Sequence, residues 1–208
     1  MNTASPSIFY KSSNYFSREE LLDLGFSSVG KDVYISRKAN IYGAENMSLG
    51  DNIRIDDGTI IAGKVDIGNH VHIAPFCYIS GGNEGITFEN ITGVAPFVYI
   101  TTRSDDYSGK TMFSPVIPQK FKKNTIAPIY IRKYSIIGAY SMIMPGVELA
   151  EGTSVGAMTF MRKKSKEWSI YFGCPAKIIG TRDKGIIEMS RDFLSEYENS
   201  DGYEDFQK

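Results

Sequence analysis

The sequence predicts an all-β solenoid, a coil of short parallel strands with a helix at either end and one long projecting loop. Three regularities lead there. Aliphatic or other core-forming residues recur at steps of six: Leu49, Ile55, Ile61, Ile67, Ile73 and Ile79, then Phe88, Val94 and Ile100 after a slip, then Ile131, Ile137, Ile143, Leu149, Val155 and Met161. Small or β-branched residues stand two places before them, among them Ile53, Thr59, Val65, Val71, Cys77, Thr92, Val98, Ser135, Ser141, Val147, Thr153 and Thr159. A small residue often follows, as at Gly50, Ala62, Gly68, Ala74, Ala95, Gly138, Ala150 and Gly156.

The period excludes the simpler readings. An amphipathic helix repeats its apolar residues at three and four, and a half-buried strand alternates at two. Here the alternation is local to each hexad and breaks where the chain must bend. Three short strands then make one triangular turn, and successive turns stack at about 4.8 Å. A single turn cannot bury its inner face, so the core exists only in the stack. Ile35 and Ile41 join the series upstream with a small slip.

The flanking elements follow in order. Within residues 1–30 a short helix is expected over 17–24, with Ser17 as N-cap and Glu20 completing a capping box. Gly25 is its stop. The solenoid occupies residues 31–182. Residues 103–128 interrupt it and carry Tyr107, Met112, Phe113, Val116, Ile117 and Phe121, too apolar for a free tether. Solenoid insertions of this kind map to loops, often on the binding face. Within residues 183–208 a helix is expected over 184–197, with Ile186, Ile187, Phe193, Leu194 and Tyr197 on one face. The acidic tail beyond it is expected to fray.

Bulk properties narrow the function classes. The chain has 208 residues, 42% hydrophobic and 23% charged, with a formal net charge of −1. That balance gives no electrostatic reason to expect nucleic acid or an anionic membrane. No stretch is suited to a membrane span, and the N-terminal residues carry no apolar signal core. Cys77 and Cys174 are the two cysteines, which make neither a disulfide framework nor a zinc spacing. The expected compartment is the reducing cytoplasm.

The repeat resembles that of the hexapeptide-repeat acyltransferases, whose unit is an aliphatic residue, then Gly, Ala, Asp or Glu, with a small or β-branched residue at the fifth place. The resemblance spans residues 33–182 and implies a left-handed parallel β-helix. A second stretch supports it. Tyr171-Phe172-Gly173-Cys174-Pro175-Ala176-Lys177-Ile178 is similar to the family's closing motif, which ends the coil beside the adenine end of CoA. The resemblance implies an acetyl-CoA-dependent O-acetyltransferase acting on a sugar hydroxyl. N-acetylation of a nucleotide-linked amino sugar and a catalytically silent scaffold are the alternatives. It also implies a homotrimer, each site in a groove between neighbours and the 103–128 loop reaching across. A carbonic-anhydrase-type metal site needs three histidines, whereas this chain has two, so no metal is expected.

Acetyl transfer needs a base, a donor for the oxyanion and a CoA site. Relatives similar to galactoside and maltose acetyltransferases carry a loop histidine in Asn-His-Asp-Tyr. This chain reads Ser104-Asp105-Asp106-Tyr107 there. His72, one place before a core residue, should point outward and is the candidate base. Asp105 or Asp106 would orient it or hold the sugar, or a carboxylate would itself be the base. For the donor, Gly138, Ala139, Gly156 and Ala157 would let the pantetheine arm lie close to the coils. Pro175 and Ala176 belong to the closing motif. Lys163, Lys164, Lys177 and Arg182 would meet the CoA phosphates.

Overall fold

A computed structural model describes residues 14–199 of the chain. Its core is a left-handed parallel β-helix of triangular section. Each turn lays one strand on each of three faces. The first face stacks Val33–Ile35, Ile53–Ile55, Val71–Ile73, Thr92–Val94, Ile136–Ile137, Ser154–Val155 and Ser169–Phe172, all in parallel. The second face contains Asn40–Tyr42, Tyr99–Thr101, Met142–Ile143 and Phe160–Met161. The third contains Met47–Leu49, Ile129–Ile131 and Glu148–Leu149. Ile60–Ile67 and Tyr78–Phe88 run across the shared corner, which merges the second and third faces into one ten-stranded sheet.

Both registers read from the sequence point inward. Ile35, Ile55, Ile73, Val94, Ile137 and Val155 stack in register on the first face and are buried. The residues two places earlier, from Ile53 through Thr59 and Ser141 to Thr159, are buried as well. Their hydroxyls do not stay unpaired. Thr59 Oγ1 donates to the Ala74 carbonyl at 3.0 Å, and Ser141 Oγ to that of Gly156 at 2.9 Å. A small polar side chain thus ties one turn to the next at a place where a bare buried hydroxyl would be costly.

The bends do not fall at the small residue that follows each core aliphatic. They turn on a left-handed residue three places after the core aliphatic, and at two corners that residue is usually large. Between the first and second faces stand Gly58, Phe76, Phe97, Tyr140 and Met158, with φ of 70°, 61°, 62°, 59° and 57°. Between the third and first stand Asn52, His70, Ile91 and Tyr134, with φ of 52°, 57°, 58° and 63°. Non-glycine residues are uncommon in this region, and stacking compensates part of the strain. Phe76, Phe97 and Tyr140 lie ring on ring, 5.1 and 4.8 Å apart.

Both terminal helices form. α1 (Arg18–Asp23) starts with the expected reciprocal cap between Ser17 and Glu20. α2 (Gly185–Glu198) runs back along the corner between the third and first faces. Tyr134 shares a 2.9 Å hydrogen bond with Ser190, His70 meets the rings of Phe193 and Tyr197, and Tyr197 donates to Asp32 at 2.6 Å. Most of the acidic tail lies outside the described residues. No described helix is long and apolar enough to cross a membrane.

Candidate active site

The three corners have different fates. α2 covers the corner between the third and first faces. The 103–128 loop springs from the corner between the second and third. The remaining corner carries the aromatic ladder, whose Phe76, Phe97 and Tyr140 edges stay exposed.

His72 lies on the first face and points outward, as its place before Ile73 requires. Its Nε2 donates to Asp56 Oδ2 at 2.8 Å, and Arg54 Nε donates to Asp56 Oδ1 at 2.7 Å. Burial raises the Asp56 carboxyl, but the hydrogen bonds from His72 and Arg54 outweigh it and hold the group below its ordinary value. The imidazole's orienting partner is therefore Asp56, not Asp105 or Asp106. The loop of the same chain leaves from the corner opposite the first face, so one chain does not bring those aspartates to His72.

Asp56 went unnoticed in the sequence, although a signal was there. A regular turn has eighteen residues, and Asp56 and His72 are sixteen apart. That spacing places them diagonally on adjacent turns of one face.

The loop is ordered by its own contacts. Arg103–Ser104 pairs antiparallel with Thr125–Ile126 at its base. Asp105 accepts from Asn124 Nδ2 at 2.5 Å and from the Ser114 N–H at 3.4 Å. Asp106 accepts from the Ser108 N–H and from the Ser108 and Thr111 hydroxyls, each at 2.9 Å. Those bonds, the Ser108 N–H first, hold the Asp106 carboxyl below the usual range. Asp106 thus shapes the turn. Asp105 keeps accepting capacity and lines a groove of about 840 Å³ together with Tyr107, Met112, Phe113 and Val116. Tyr107 and Val116 are 90% and 83% exposed, so the apolar tip of the loop is left uncovered by its own chain.

The donor candidates separate. A Cβ at Gly138 would stand 2.5 Å from the Ala157 nitrogen, and one at Gly156 would enter the Phe172 ring. Those glycines let turns close on one another rather than leaving room for a pantetheine arm. Ala139 and Ala157 sit on the outside of the aromatic corner. The closing motif reverses the chain there, with Phe172 paired to Lys177 and the Cys174–Pro175 bond cis. Pro175 and Ala176 lie in that reversal, where the Ala176 N–H donates to the Phe160 carbonyl at 3.1 Å. Lys177 and Lys163 are exposed, with no ammonium partner among the described residues. Lys164 pairs with Glu148 at 3.0 Å on the third face. Arg182 is engaged inside the fold, donating to the Tyr134 and Gly152 carbonyls at 2.5 and 3.3 Å. Among the described residues, no three His, Cys, Asp or Glu side chains gather as metal ligands would.

Comparison with known proteins places this architecture. A model described as bacterial transferase hexapeptide (six repeats) matches residues 46–81. The dTDP-4-amino-4,6-dideoxy-D-glucose acyltransferase of Escherichia coli is 34% identical over 182 residues, 86% of this chain and 94% of that protein. The chain belongs to the hexapeptide-repeat acyltransferases. AntD, an N-acyltransferase from Bacillus cereus solved with dTDP and 3-hydroxybutyryl-CoA, is 39% identical with a TM-score of 0.88, covering 90% of this chain and 99% of that one. The putative lipopolysaccharide biosynthesis O-acetyl transferase WbbJ of Escherichia coli K12 is 28% identical over 152 residues, 70% of this chain and 74% of that protein. As a member of this family the protein is an acyltransferase.

Proposed function

We propose that the protein transfers an acyl group from acyl-CoA to the amino group of a dTDP-linked 4-amino-4,6-dideoxy sugar. The carrying observation is Asp105, a loop carboxylate where the resembling O-acetyltransferases have a histidine. A sugar hydroxyl needs a strong, well-placed base. A sugar amine arrives as an ammonium ion, which a carboxylate attracts and which gives up its proton near neutral pH. The relatives at 34 and 39% identity, an acyltransferase of such a sugar and an N-acyltransferase crystallised with dTDP, support the same acceptor. Transfer to a sugar hydroxyl is the second reading, supported by the resemblance to WbbJ at 28% identity.

In this reading the carboxylate of Asp105 holds the ammonium group. His72 Nδ1 takes one proton from it, and the free amine attacks the thioester carbonyl. The C–S bond breaks as the C–N bond forms; the second proton, lost from nitrogen after attack, goes to the departing CoA sulfur, and the first leaves His72 for solvent. Ala139, Ala157, Pro175, Ala176, Lys163 and Lys177 are the donor-side residues; Arg182, Lys164 and the two glycines serve the fold.

His72 and Asp105 meet if three copies assemble with their aromatic corners on a threefold axis. The first face of one copy then opposes the second face of the next. The loop at the far edge of that second face reaches the neighbour's His72. The exposed ladder and the exposed apolar loop support this trimer, since both need a covering that one chain does not provide. The cytoplasm, which holds acyl-CoA and nucleotide sugars, is the compartment.

The test is release of CoA thiol from acetyl-CoA or 3-hydroxybutyryl-CoA. Release with dTDP-4-amino-4,6-dideoxyglucose, and none with the same nucleotide sugar bearing a 4-hydroxyl, is expected. Release with the hydroxyl compound alone would reverse the assignment.

A further inference from the structure

We propose that Asp56 is a positioning residue: it fixes the tautomer of His72 and, braced by Arg54, leaves Nδ1 as the proton acceptor. The inference rests on the reading of His72 as the base and extends it to residues that no resemblance assigns.

The geometry carries it in steps. A carboxylate only accepts, so the 2.8 Å contact puts the imidazole proton on Nε2 and leaves the lone pair on Nδ1. The His72 side chain is 49% exposed while that of Asp56 is 8% exposed, so the carboxylate is hidden beneath the ring and the ring faces outward. Arg54 takes the second carboxylate oxygen at 2.7 Å. The carboxylate is thereby held in one orientation and kept ionised, able to stabilise an imidazolium without taking the proton itself. The next turn places Gly93 in register with His72. A Cβ there would meet nothing closer than Ile136 Cγ1 at 3.9 Å, so the missing side chain leaves room beside the imidazole for a reacting group.

The electrostatic surroundings are simple. Arg54 and Asp56 are the charged groups on the turn below, and Asp57 is turned away to Lys38 and Ser36. The strand above, Thr92–Val94, adds no titratable side chain. The tautomer of His72 therefore depends mainly on Asp56.

The test is kcat and KM for His72→Asn, Asp56→Asn and Asp56→Glu in the full-length protein, with the amino sugar and acyl-CoA. Asp56→Asn is expected to lower kcat roughly 100-fold with the acyl-CoA KM unchanged. Asp56→Glu, which keeps the acceptor and the charge, should bring kcat back toward wild type at the same KM, a recovery that a merely structural role would not produce. An inactive His72→Asn beside an Asp56→Asn with wild-type kcat would overturn the positioning role alone. A fully active His72→Asn would overturn the base assignment on which it rests.

Discussion

At the scale of single residues, the fold depends on close contacts between identical positions in successive turns. Gly138 shows this, since its neighbour on the next turn is backbone rather than a side chain that could swing aside. Gly138→Ala is therefore expected to destabilise the protein by about 1–3 kcal/mol through overpacking, read as a lowered Tm, whereas Ala139→Ser beside it should leave Tm almost unchanged. The sequence marked Gly138 and Gly156 as special without saying why. A small residue beside a core aliphatic suits a close turn and a ligand channel equally, and only the position of the next turn separates the two. Arg182 carries the same lesson. Its charge suits a phosphate, but its guanidinium reaches two carbonyls of the fold, and burial lowers its pKa.

At the scale of elements, most of the architecture was legible. The six-residue period fixed the strands, the buried hydroxyl register and the place of the interruption. Ser17 and Glu20 fixed the start of α1. The corners were not legible, because Phe76, Phe97 and Tyr140 occupy a backbone conformation that local preference assigns to glycine or asparagine. Ring stacking between turns overrides that preference, and a linear reading does not contain it. α2 has its own pH dependence. His70, packed between Phe193 and Tyr197 and accepting from the Asn52 amide at 2.9 Å, has its pKa lowered by burial, which the Asp51 carboxylate partly opposes. The unfolded state thus binds more protons between the lowered folded value and the ordinary histidine pKa. Stability contributed there is present above the ordinary value, about 6.5, and is lost as pH falls below it. Amide protection factors in α2, corrected for the intrinsic pH dependence of exchange, should fall between pH 7.5 and 5.5 more than in the coil, and His70→Gln should flatten the difference. Equal change in helix and coil would contradict this.

At the scale of the whole molecule, one chain presents the two halves of the proposed site on opposite sides. His72 with Asp56 stands on the first face, and Asp105 stands in a loop from the opposite corner. In the proposed trimer a second copy supplies the missing half. The resemblance implied a groove between neighbours, but the residues proposed to meet across it could not be read from one sequence, since that contact would join different chains. The decisive measurement is complementation: His72→Asn and Asp105→Asn, each with little activity alone, are mixed, dissociated and reassembled. With each site drawing His72 from one copy and Asp105 from its neighbour, random trimers should recover about one quarter of the wild-type rate. Mixed assemblies, confirmed by mass spectrometry, that remain as inactive as the separate variants would contradict a site shared between copies.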